Sequence, residues 1–430
     1  MTRKISPIKS LSGEIEIPGD KSLSHRGLIL GGIAQGITHL ENFLPSKDTL
    51  ATEACMRLLG VSIEAPTPAA RIIHGKGLDG LKEPDNILNA ENSGTTLRLL
   101  LGLLSGQPFF SVLTGDESLR KRPMKRVVEP LSLMGGKISG RGNASLAPLC
   151  VQGGKLNEIK YRIPVASAQV KTALILAALQ AEGETILEES AQTRDHTERL
   201  LSEMGGKIQF SDRKISVNPS PLKGINLYIP GDFSSAAFFL VAGLCVPHSK
   251  ITLKRVGLNP TRTAFLKLLQ RMGGDIRVIS KTISAGNSFF EPEGDLVVSS
   301  SSLKAAEIFP EEVPNLIDEL PIFAIAASQA EGVSKVTHAE ELRVKETDRI
   351  RDLCLELRKM GVSIQELPDG FVIEGPSRLK GAEVFSHGDH RLAMAFTIGG
   401  LTADKETILN GSEVIDISFP NFFKLLDKLQ

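Results

Sequence analysis

The fold of this chain is organised around the stretch Ile17-Pro18-Gly19-Asp20-Lys21-Ser22-Leu23-Ser24-His25-Arg26. An extended apolar segment enters a Pro-Gly turn, after which Asp20 or Ser22 can cap a helix. Lys21, Ser22 and Arg26 lie at the start of that helix, where backbone N–H groups attract anions and nearby cations add to the attraction. One such stretch is explained more simply by capping residues and solvated cations, but the chain repeats the arrangement, and the repetition favours an anion site.

Self-similarity along the chain predicts six structural repeats. A helix that ends in a Met/Leu-Gly turn and passes into a strand occurs five times, at 58–63, 133–138, 203–208, 271–276 and 359–364. A sixth helix of this kind ends the chain, with no strand after it. Between these helices, polar caps precede Ala/Leu-rich helices, beginning at Asp20, Asn92, Ala166, Asp232, Asp318 and Asp389. Each repeat therefore has the order strand, apolar helix, strand, second helix, Gly turn and strand.

The Ala/Leu-rich helices are apolar on nearly every face, as at 172–181 and 392–401. A helix that is apolar all round is buried, which predicts an α/β fold with helices packed inside a ring of sheets. Because the chain exceeds the roughly 250–300 residues of one core, we expect two domains. Ile-Pro-Gly-Asp occurs twice, and we interpret the two copies as strands that cross between domains. The predicted domains are 20–231, and 1–19 plus 232–430.

Composition limits the partners of this protein. Fifty acidic and fifty basic residues cancel, so charge gives no support for a nucleic-acid or membrane partner. The longest apolar run, at 236–246, is too short to span a bilayer, and the start of the chain has no signal-peptide pattern. Four widely spaced cysteines indicate reduced core residues, and with them a cytoplasmic protein. They are Cys55, Cys150, Cys245 and Cys354.

Motifs for cofactors and metals fail on context. The G-x-G-x-x-G at 75–80 is followed by Leu-Lys-Glu-Pro rather than by a helix, so a dinucleotide site is not supported. The pair His387 and His390 spans a glycine, and neither H-E-x-x-H nor a cysteine cluster is present. We therefore expect no metal and no other cofactor.

Charged residues gather at the helix caps and in three other loops: Lys21, Arg26, Arg120, Lys121, Arg122, Arg194, Asp195, His196, Asp318, Glu319, Arg343, Lys345, Glu346, Asp348, Arg349, Arg351, Asp389, His390 and Arg391. If the repeats are equivalent, the helix caps and loops that carry these residues converge on one cleft between the domains. A small ligand with several negative charges would bind there. A carboxylate among so many cations, such as Asp318 or Glu346, either neutralises them or moves protons. Lys21 competes with Glu346 for the acid role.

These residues resemble the enolpyruvyl transferase family, most closely its members that act on shikimate-3-phosphate. The resemblance covers essentially the whole chain. It rests on Pro18-Gly19-Asp20-Lys21-Ser22-x-Ser24-x-Arg26, Asn92-Ser93-Gly94-Thr95, Leu113-Thr114-Gly115-Asp116 leading to Arg122-Pro123, Ser167-Ala168-Gln169, Leu342-Arg343-Val344-Lys345-Glu346-Thr347-Asp348-Arg349, and Asp389-His390-Arg391. It implies a two-domain inside-out α/β barrel, each domain with three βαβαββ repeats and buried helices. We expect a monomer that closes on its substrates.

The implied reaction moves the enolpyruvyl group of phosphoenolpyruvate to the 5-hydroxyl of shikimate-3-phosphate and releases phosphate. The resemblance assigns the phosphoenolpyruvate side to Lys21, Arg122, Arg349 and Arg391. It assigns shikimate-3-phosphate to Ser22, Arg26, Ser167, Gln169 and Lys345, and the substrate-binding set also includes Asn92, Gly94, Thr95 and Ala168. Asp318 would take the proton of the hydroxyl, and Glu346 or Lys21 would protonate the methylene carbon.

Residues 167–169 and 193–196 resemble a less common bacterial subclass, in which Arg194 takes a contact filled by tyrosine elsewhere. Ile417 stands where many members have a lysine that contacts phosphate, as expected for that subclass. Gly94 lies where a side chain would crowd the herbicide glyphosate, which the enzyme should therefore bind. The two alternatives are the sister transferase for UDP-N-acetylglucosamine, which generally uses a loop cysteine that 116–125 lacks, and a non-catalytic protein that binds phosphorylated ligands.

Overall fold

The computed structural model describes residues 1–281 and 291–430, and these fall into two compact units. Unit 1 holds 1–18, 230–281 and 292–430, and unit 2 holds 19–229 together with Glu291. The chain passes from unit 1 to unit 2 between Pro18 and Gly19. Gly19 is needed there because a Cβ atom at this position would lie 1.7 Å from the carbonyl oxygen of Asn42.

Each unit contains three mixed sheets among the described strands, and five of these six sheets share one pattern. The first strand is parallel to the second, and the fourth strand lies antiparallel between the second and the third. In three of these sheets an inner helix connects the first strand to the second, and in the other two the first strand comes from a distant part of the chain; in all five an outer helix connects the second strand to the third. This is the βαβαββ repeat that the family resemblance implies, with one strand more than the chain pattern alone predicts, and the predicted fold class is confirmed.

Unit 2 contains repeats 1 to 3, and the first strand of repeat 1 comes from the end of this unit's chain rather than from before its inner helix. Repeat 1 comprises Leu222–Lys223 and Asn226–Tyr228, inner helix Lys21–Gly32, Ala34–Glu41, outer helix Lys47–Leu58, Ser62–Glu64 and Ala70–Lys76. Repeat 2 comprises Leu88–Asn89, inner helix Gly94–Ser105, Phe110–Thr114, outer helix Lys125–Leu133, Lys137–Gly140 and Leu146–Gln152. Repeat 3 comprises Lys160–Ile163, inner helix Ala168–Ala178, Thr185–Glu189, outer helix His196–Glu203, Ile208–Ser211 and Lys214–Val217.

Unit 1 contains repeats 4 to 6. Repeat 4 comprises Ser12–Glu16, inner helix Phe233–Cys245, Lys250–Gly257, outer helix Ala264–Arg271, Asp275–Lys281 and Glu293–Ser299. Repeat 5 comprises Glu307–Ile308, inner helix Leu320–Gln329, Gly332–Val336, outer helix Arg349–Lys359, Ser363–Leu367 and Gly370–Gly375. Repeat 6 comprises Glu383–Phe385, inner helix His390–Leu401, Thr407–Asn410 and outer helix Phe422–Asp427, and its sheet is completed by Thr2–Ile5. Short helices outside this scheme are Leu78–Gly80, Leu119–Lys121, Arg141–Ala144, Val313–Leu316, Glu340–Val344 and Ser412–Ile417.

The inner helices form the core of each unit. In the inner helix His390–Leu401 every residue is buried, and in Ala168–Ala178 every residue from Val170 onward is buried. The inner helices of repeats 4, 5 and 6 pack against one another. This burial confirms the prediction made from their apolar faces. Along the described part of the chain, none of the helices has the length and apolarity needed to cross a membrane.

The outer helices of repeats 1 to 5 end at glycines with positive φ, namely Gly60, Gly135, Gly205, Gly273 and Gly361. A left-handed residue there stops the helix and turns the chain into the third strand of the repeat. These glycines therefore have the structural role that the sequence predicts. The charged residues lie in the loops that precede the inner and outer helices and at the starts of those helices.

Candidate active site

The inner helices begin at capping side chains, five of which accept backbone N–H groups of the first turn. These residues are Asp20, Ser93, Ser167, Asp232 and Asp389. The first helix is thus capped by Asp20 rather than by Ser22. In repeat 5 the residue before the helix is Glu319, so Asp318 precedes the cap and does not form it. The caps leave the candidate site residues on the helix starts and in the loops before them.

Lys21 is held by a carboxylate from the neighbouring outer helix. Its Nζ donates to Asp48 Oδ2 at 3.0 Å, and both side chains are mostly buried. Asp48 lies in the first turn of Lys47–Leu58, where a negative charge is favourable. Asp48 was not identified from the sequence as part of the site, although an acidic residue just inside a capped helix start is a recognisable signal.

Arg26 joins the helix starts of repeats 1 and 3. It is buried, its Nε donates to Thr197 Oγ1 at 2.6 Å, and its Nη2 donates to Thr172 Oγ1 at 2.7 Å. Its Nη1 donates to the carbonyl oxygen of Ser22 at 3.0 Å. The guanidinium group is therefore fixed beside the helix that begins at Ala168, which brings together two stretches far apart in sequence.

Arg122 is fixed by two loops of repeat 2, one before the inner helix and one after the second strand. Its Nη2 donates to Asn92 Oδ1 at 2.8 Å and to Ser118 Oγ at 3.3 Å. The Asn92 amide in turn donates to Asp116 Oδ2 at 2.7 Å. These four residues thus form one hydrogen-bonded chain, which fixes the orientation of the arginine before any ligand binds.

Gln169 and Thr95 meet across repeats 2 and 3, and Arg98 completes the group. Gln169 Nε2 donates to Thr95 Oγ1 at 2.9 Å, and Arg98 Nη1 donates to Gln169 Oε1 at 2.6 Å. A Cβ atom on Gly94 would lie 2.7 Å from Arg98 Nη1 and 3.6 Å from Arg122 Nη1. Arg98 was missed at the level of sequence, where a lone charge within an apolar helix could have indicated it.

Residues 193–196 form the loop that carries Arg194, a half-buried side chain. Thr193 and Asp195 on either side of it are buried. The next residue, His196, begins the outer helix and lies 2.7 Å from Glu291 through its Nδ1. Arg194 is therefore held on a backbone that is fixed at both ends.

The carboxylates of unit 1 surround Arg349, which is 2% exposed. Its Nε donates to Asp389 Oδ2 at 2.6 Å and its Nη2 to Glu346 Oε2 at 2.5 Å, while its Nη1 lies 3.8 Å from Asp318 Oδ1. Arg391 binds the same aspartate, since its Nη1 donates to the Asp318 carbonyl oxygen at 2.9 Å. Although burial opposes it, the carboxylates raise the pKa of Arg349 above its ordinary value, so the arginine stays charged.

Lys345 is half-buried beside this group. Burial lowers the pKa of Lys345 below its ordinary value; the charge of Asp318 opposes the shift and that of Arg349 adds to it. A lysine in this state gives up its proton more readily than a solvated one.

The predicted site residues thus form two sets, one in each unit. The set of unit 2 comprises Lys21, Ser22, Arg26, Asn92, Gly94, Thr95, Arg122, Ser167, Ala168, Gln169 and Arg194. The set of unit 1 comprises Asp318, Lys345, Glu346, Arg349 and Arg391. The first combines cations, hydroxyls and amides at helix starts, a combination suited to phosphate and carboxylate groups. The second brings two carboxylates to buried cations, as general acid–base chemistry requires.

Comparison with solved structures gives the class of this fold. NikO from Streptomyces tendae, described as an enolpyruvyl transferase, superposes with a TM-score of 0.77 over 99% of this chain and 96% of that chain. At 14% identity that likeness concerns the fold alone. EPSP synthase from Acinetobacter baumannii superposes with a TM-score of 0.88 at 42% identity, covering 100% of this chain and 98% of that one. The repeats with buried inner helices are therefore those of the enolpyruvyl transferase fold.

Sequence comparison gives the family. The model of the EPSP synthase (3-phosphoshikimate 1-carboxyvinyltransferase) family matches residues 5–426. The chain is 51% identical over 431 residues to the 3-phosphoshikimate 1-carboxyvinyltransferase of Desulforudis audaxviator, covering all of both chains. It is 48% identical over 428 residues to that of Bacillus subtilis, covering 99% of each. The chain belongs to the EPSP synthase family, which confirms the resemblance found in its motifs.

Proposed function

We propose that this chain transfers the enolpyruvyl group of phosphoenolpyruvate to the 5-hydroxyl of shikimate-3-phosphate, a step of the shikimate pathway toward chorismate and the aromatic amino acids. Membership of the family over residues 5–426 supports the proposal. The observation that carries it is the group around Arg349, where Glu346 is ion-paired at 2.5 Å and Asp318 lies 3.8 Å away. An addition–elimination reaction needs several proton transfers beside an anionic substrate, and this group supplies carboxylates and cations together.

The chemistry balances in two steps. In the addition, the 5-hydroxyl oxygen bonds to the middle carbon of phosphoenolpyruvate, Asp318 takes the hydroxyl proton, and the methylene carbon gains a proton to become a methyl group. In the elimination, the bond between that middle carbon and the phosphate oxygen breaks, one methyl proton returns to the group that protonated the methylene carbon, and Asp318 gives the hydroxyl proton to the departing phosphate. Phosphate departs with its phosphorus–oxygen bonds intact, and the double bond of the enol ether is restored.

Two residues compete to exchange protons with the methylene carbon. Glu346 is ion-paired to Arg349, and Lys21 is paired to Asp48 at 3.0 Å. Both are tied to a group of opposite charge, so their contacts favour neither. Replacement of each in turn, with deuterium uptake into the methylene group measured in D2O, separates them: the variant that binds both substrates but incorporates no deuterium marks the donor.

The substrate-binding residues are assigned by their match to the motifs of the family. Lys21, Arg122, Arg349 and Arg391 would hold phosphoenolpyruvate. Shikimate-3-phosphate would bind to Ser22, Arg26, Ser167, Gln169, Arg194 and Lys345, with Asn92, Gly94, Thr95 and Ala168 completing the substrate-binding set. Each charge-assisted hydrogen bond contributes about 1.5–3 kcal/mol, so substrates that bridge both sets would draw them together. The two units would then be the two domains, and the cleft between them the active site.

The alternatives make distinct predictions. A UDP-N-acetylglucosamine transferase generally uses a loop cysteine, and the sequence 116–125 contains none. A non-catalytic protein would bind the phosphorylated ligands without turning them over. Release of phosphate from phosphoenolpyruvate with shikimate-3-phosphate, and none with UDP-N-acetylglucosamine, supports the proposal, whereas the reverse pattern or no release refutes it.

The remaining expectations concern the state of the enzyme. We expect a cytoplasmic monomer that acts without a metal or other cofactor, and that binds neither nucleic acid nor membrane. Activity should persist after dialysis against a chelator, and the mass in solution should be that of one 46.3 kDa chain. A chelator-sensitive rate or a stable dimer would contradict these expectations.

A further inference from the structure

An ionic cluster lies in repeat 3, on the elements that carry two segments assigned by the proposed function to shikimate-3-phosphate. Lys171 Nζ lies 2.6 Å from Glu198 Oε1 and 3.1 Å from Glu189 Oε2. The exposed fractions of the three side chains are 1% for Lys171, 2% for Glu198 and 5% for Glu189. None of the three belongs to either set of site residues, and nothing in the proposed reaction uses them.

The cluster ties together three elements of repeat 3. Lys171 lies in the first turn of the inner helix Ala168–Ala178, four residues after the cap Ser167. Glu189 ends the strand Thr185–Glu189, and Glu198 lies in the first turn of the outer helix His196–Glu203. The inner helix carries residues 167–169, and the loop between Glu189 and Glu198 carries Arg194.

Glu189 also holds that loop directly. Its Oε1 accepts the backbone N–H of Thr193 at 3.2 Å and a short hydrogen bond from the Thr193 hydroxyl. Its other oxygen accepts from Lys171. One carboxylate therefore connects the inner helix to the residue that precedes Arg194, and the position of Arg194 follows from that connection.

The residues next to the cluster on the same two helices hold Arg26. Thr172 follows Lys171, Thr197 precedes Glu198, and their hydroxyl groups lie 2.7 Å apart. Both hydroxyls accept from the Arg26 guanidinium group. The packing of these two helix starts, which the ionic cluster fixes, thus also sets the position of Arg26.

Stability alone is a weak reason for such a cluster. Well-packed apolar side chains of similar volume often stabilise a fold as well as a buried ion pair or triad, because the charges must first be removed from water. Burial raises the pKa of Glu189, which the ammonium of Lys171 and the Thr193 hydroxyl oppose and the charge of Glu198 reinforces. Hydrogen bonds between charged groups are directional, so they hold each bonded group in a single position, which apolar contacts do not.

We propose that Lys171 and Glu189 are positioning residues: together with Glu198 they fix residues 193–195, and so Arg194, relative to the helix start at 167–169. This inference rests on the proposed function, in which the ligand bound by these residues is the phosphorylated acceptor, shikimate-3-phosphate. The cluster makes the acceptor side of the site rigid without contacting the acceptor.

The test compares the wild-type chain with Lys171→Met, which leaves two adjacent buried carboxylates, and with Thr193→Val, which removes only the hydroxyl bonded to Glu189. Binding of shikimate-3-phosphate is measured by calorimetry in the absence of phosphoenolpyruvate. We expect the Kd to rise about tenfold or more in Lys171→Met and by a smaller factor in Thr193→Val, since displaced binding groups lose affinity steeply. The KM for phosphoenolpyruvate should change less than the Kd for the acceptor.

The matched control is Arg71→Met, which breaks the buried ion pair of Arg71 with Glu53 at 2.6 Å in repeat 1. It should lower the melting temperature but leave the Kd for shikimate-3-phosphate within about twofold of wild type. An unchanged Kd in both test variants overturns the proposal, and so does an equal loss in Arg71→Met, because general loosening would then explain the effect.

Hydrogen exchange supplies a readout that needs no substrate. Amides of 190–198 should exchange faster in Lys171→Met and Thr193→Val, while those of 92–105 keep wild-type protection. Equal protection of 190–198 in wild type and both variants overturns the positioning role. If the wild-type chain does not bind shikimate-3-phosphate, the proposed function and the proposed acceptor both fail, and the exchange result alone then decides whether the cluster holds the loop.

Discussion

Arg26 and Arg122 in the set of unit 2 are held in place by a different kind of contact from Arg349 in the set of unit 1. In unit 2, Arg26 and Arg122 are oriented by hydroxyl and amide oxygens of Thr172, Thr197 and Asn92. In unit 1, Arg349 is oriented by carboxylates, with Asp389 at 2.6 Å and Glu346 at 2.5 Å. Hydrogen bonds to neutral oxygens fix the direction of an arginine without adding a second charge, whereas charge pairs in a buried place alter each other's protonation.

This difference predicts which substitutions should lower function alone and which should lower stability as well. Loss of one member of the unit 1 set leaves buried charges without compensation, so stability and chemistry should fall together. Loss of one arginine in unit 2 removes a binding group whose neighbours remain satisfied by one another or by water, so function should fall more than stability. Both expectations can be tested with single substitutions.

The largest effect is expected for Arg349→Met. This change leaves Asp389 and Glu346 facing each other without their shared cation, which costs about 3–5 kcal/mol of unfolding free energy. Urea denaturation measures this loss. The control is Arg358→Met on the same helix, an exposed arginine that donates to the carbonyl oxygen of Ile364. Similar small losses in the two variants would show that the carboxylates do not depend on Arg349.

The next effect is expected for Glu346→Gln. The amide keeps the size of the side chain and an oxygen for Arg349, but it cannot exchange protons, so kcat should fall about 10²–10⁴-fold if this residue is the donor. Phosphate release under saturating substrates measures the change. Glu312→Gln, at a carboxylate paired with Arg271 at 2.9 Å, should keep the wild-type rate. A full rate in Glu346→Gln would leave Lys21 as the donor.

Arg122→Ala tests the set of unit 2. Loss of one charge-assisted contact should raise the KM for phosphoenolpyruvate about 10- to 150-fold, while the melting temperature stays near that of wild type. Arg120→Ala, at an exposed arginine two residues earlier, should leave both values unchanged. An unfolded Arg122→Ala protein would show that this arginine is structural.

The pH dependence of acceptor binding should report Lys345. Burial lowers its pKa in the folded chain below the ordinary 10.5. The unfolded chain therefore binds more protons between the lowered pKa and 10.5, so this group's contribution to stability rises with pH across that window and is most unfavourable below it.

Binding of an anion needs the charged form of Lys345, so kcat/KM for shikimate-3-phosphate should fall as pH rises through the lowered pKa. In Lys345→Arg the fall should move to higher pH, and a fall at the same pH would exclude Lys345 as its source.

The smallest effect on stability is expected for Gly94→Ala. The added methyl group would displace the flexible end of Arg98, 2.7 Å away, while alanine within a helix gains about 0.5–1 kcal/mol over glycine. Stability should therefore change little, and inhibition by glyphosate should weaken. Gly154→Ala, at an exposed glycine whose Cβ would meet no described atom within 4 Å, should leave inhibition unchanged. A Gly94→Ala enzyme with wild-type sensitivity would contradict the predicted herbicide site.

Much of the site could be predicted because its residues lie at helix caps and in the loops next to them. Caps such as Asp20 and Asp389 are visible in sequence since a helix start needs them wherever it lies, and the cations one or two residues after them are visible beside the caps. Residues whose partner lies on another helix or loop, such as Asp48, Arg98 and Glu189, were not identified. Their role depends on which helix lies opposite, and spacing along the chain carries no such information.

The sequence by itself determined the six repeats, the burial of the inner helices and the polar character of their starts. Periodicity, capping and glycine turns act over a few residues, so they can be recognised without knowledge of distant contacts. The tertiary structure decided which strands complete which sheet: Thr2–Ile5 joins repeat 6, and Leu222–Lys223 and Asn226–Tyr228 join repeat 1. It also decided that Glu346 and Asp389 share Arg349. Such pairings depend on the free energy of the whole packed unit, in which residues hundreds of positions apart become neighbours.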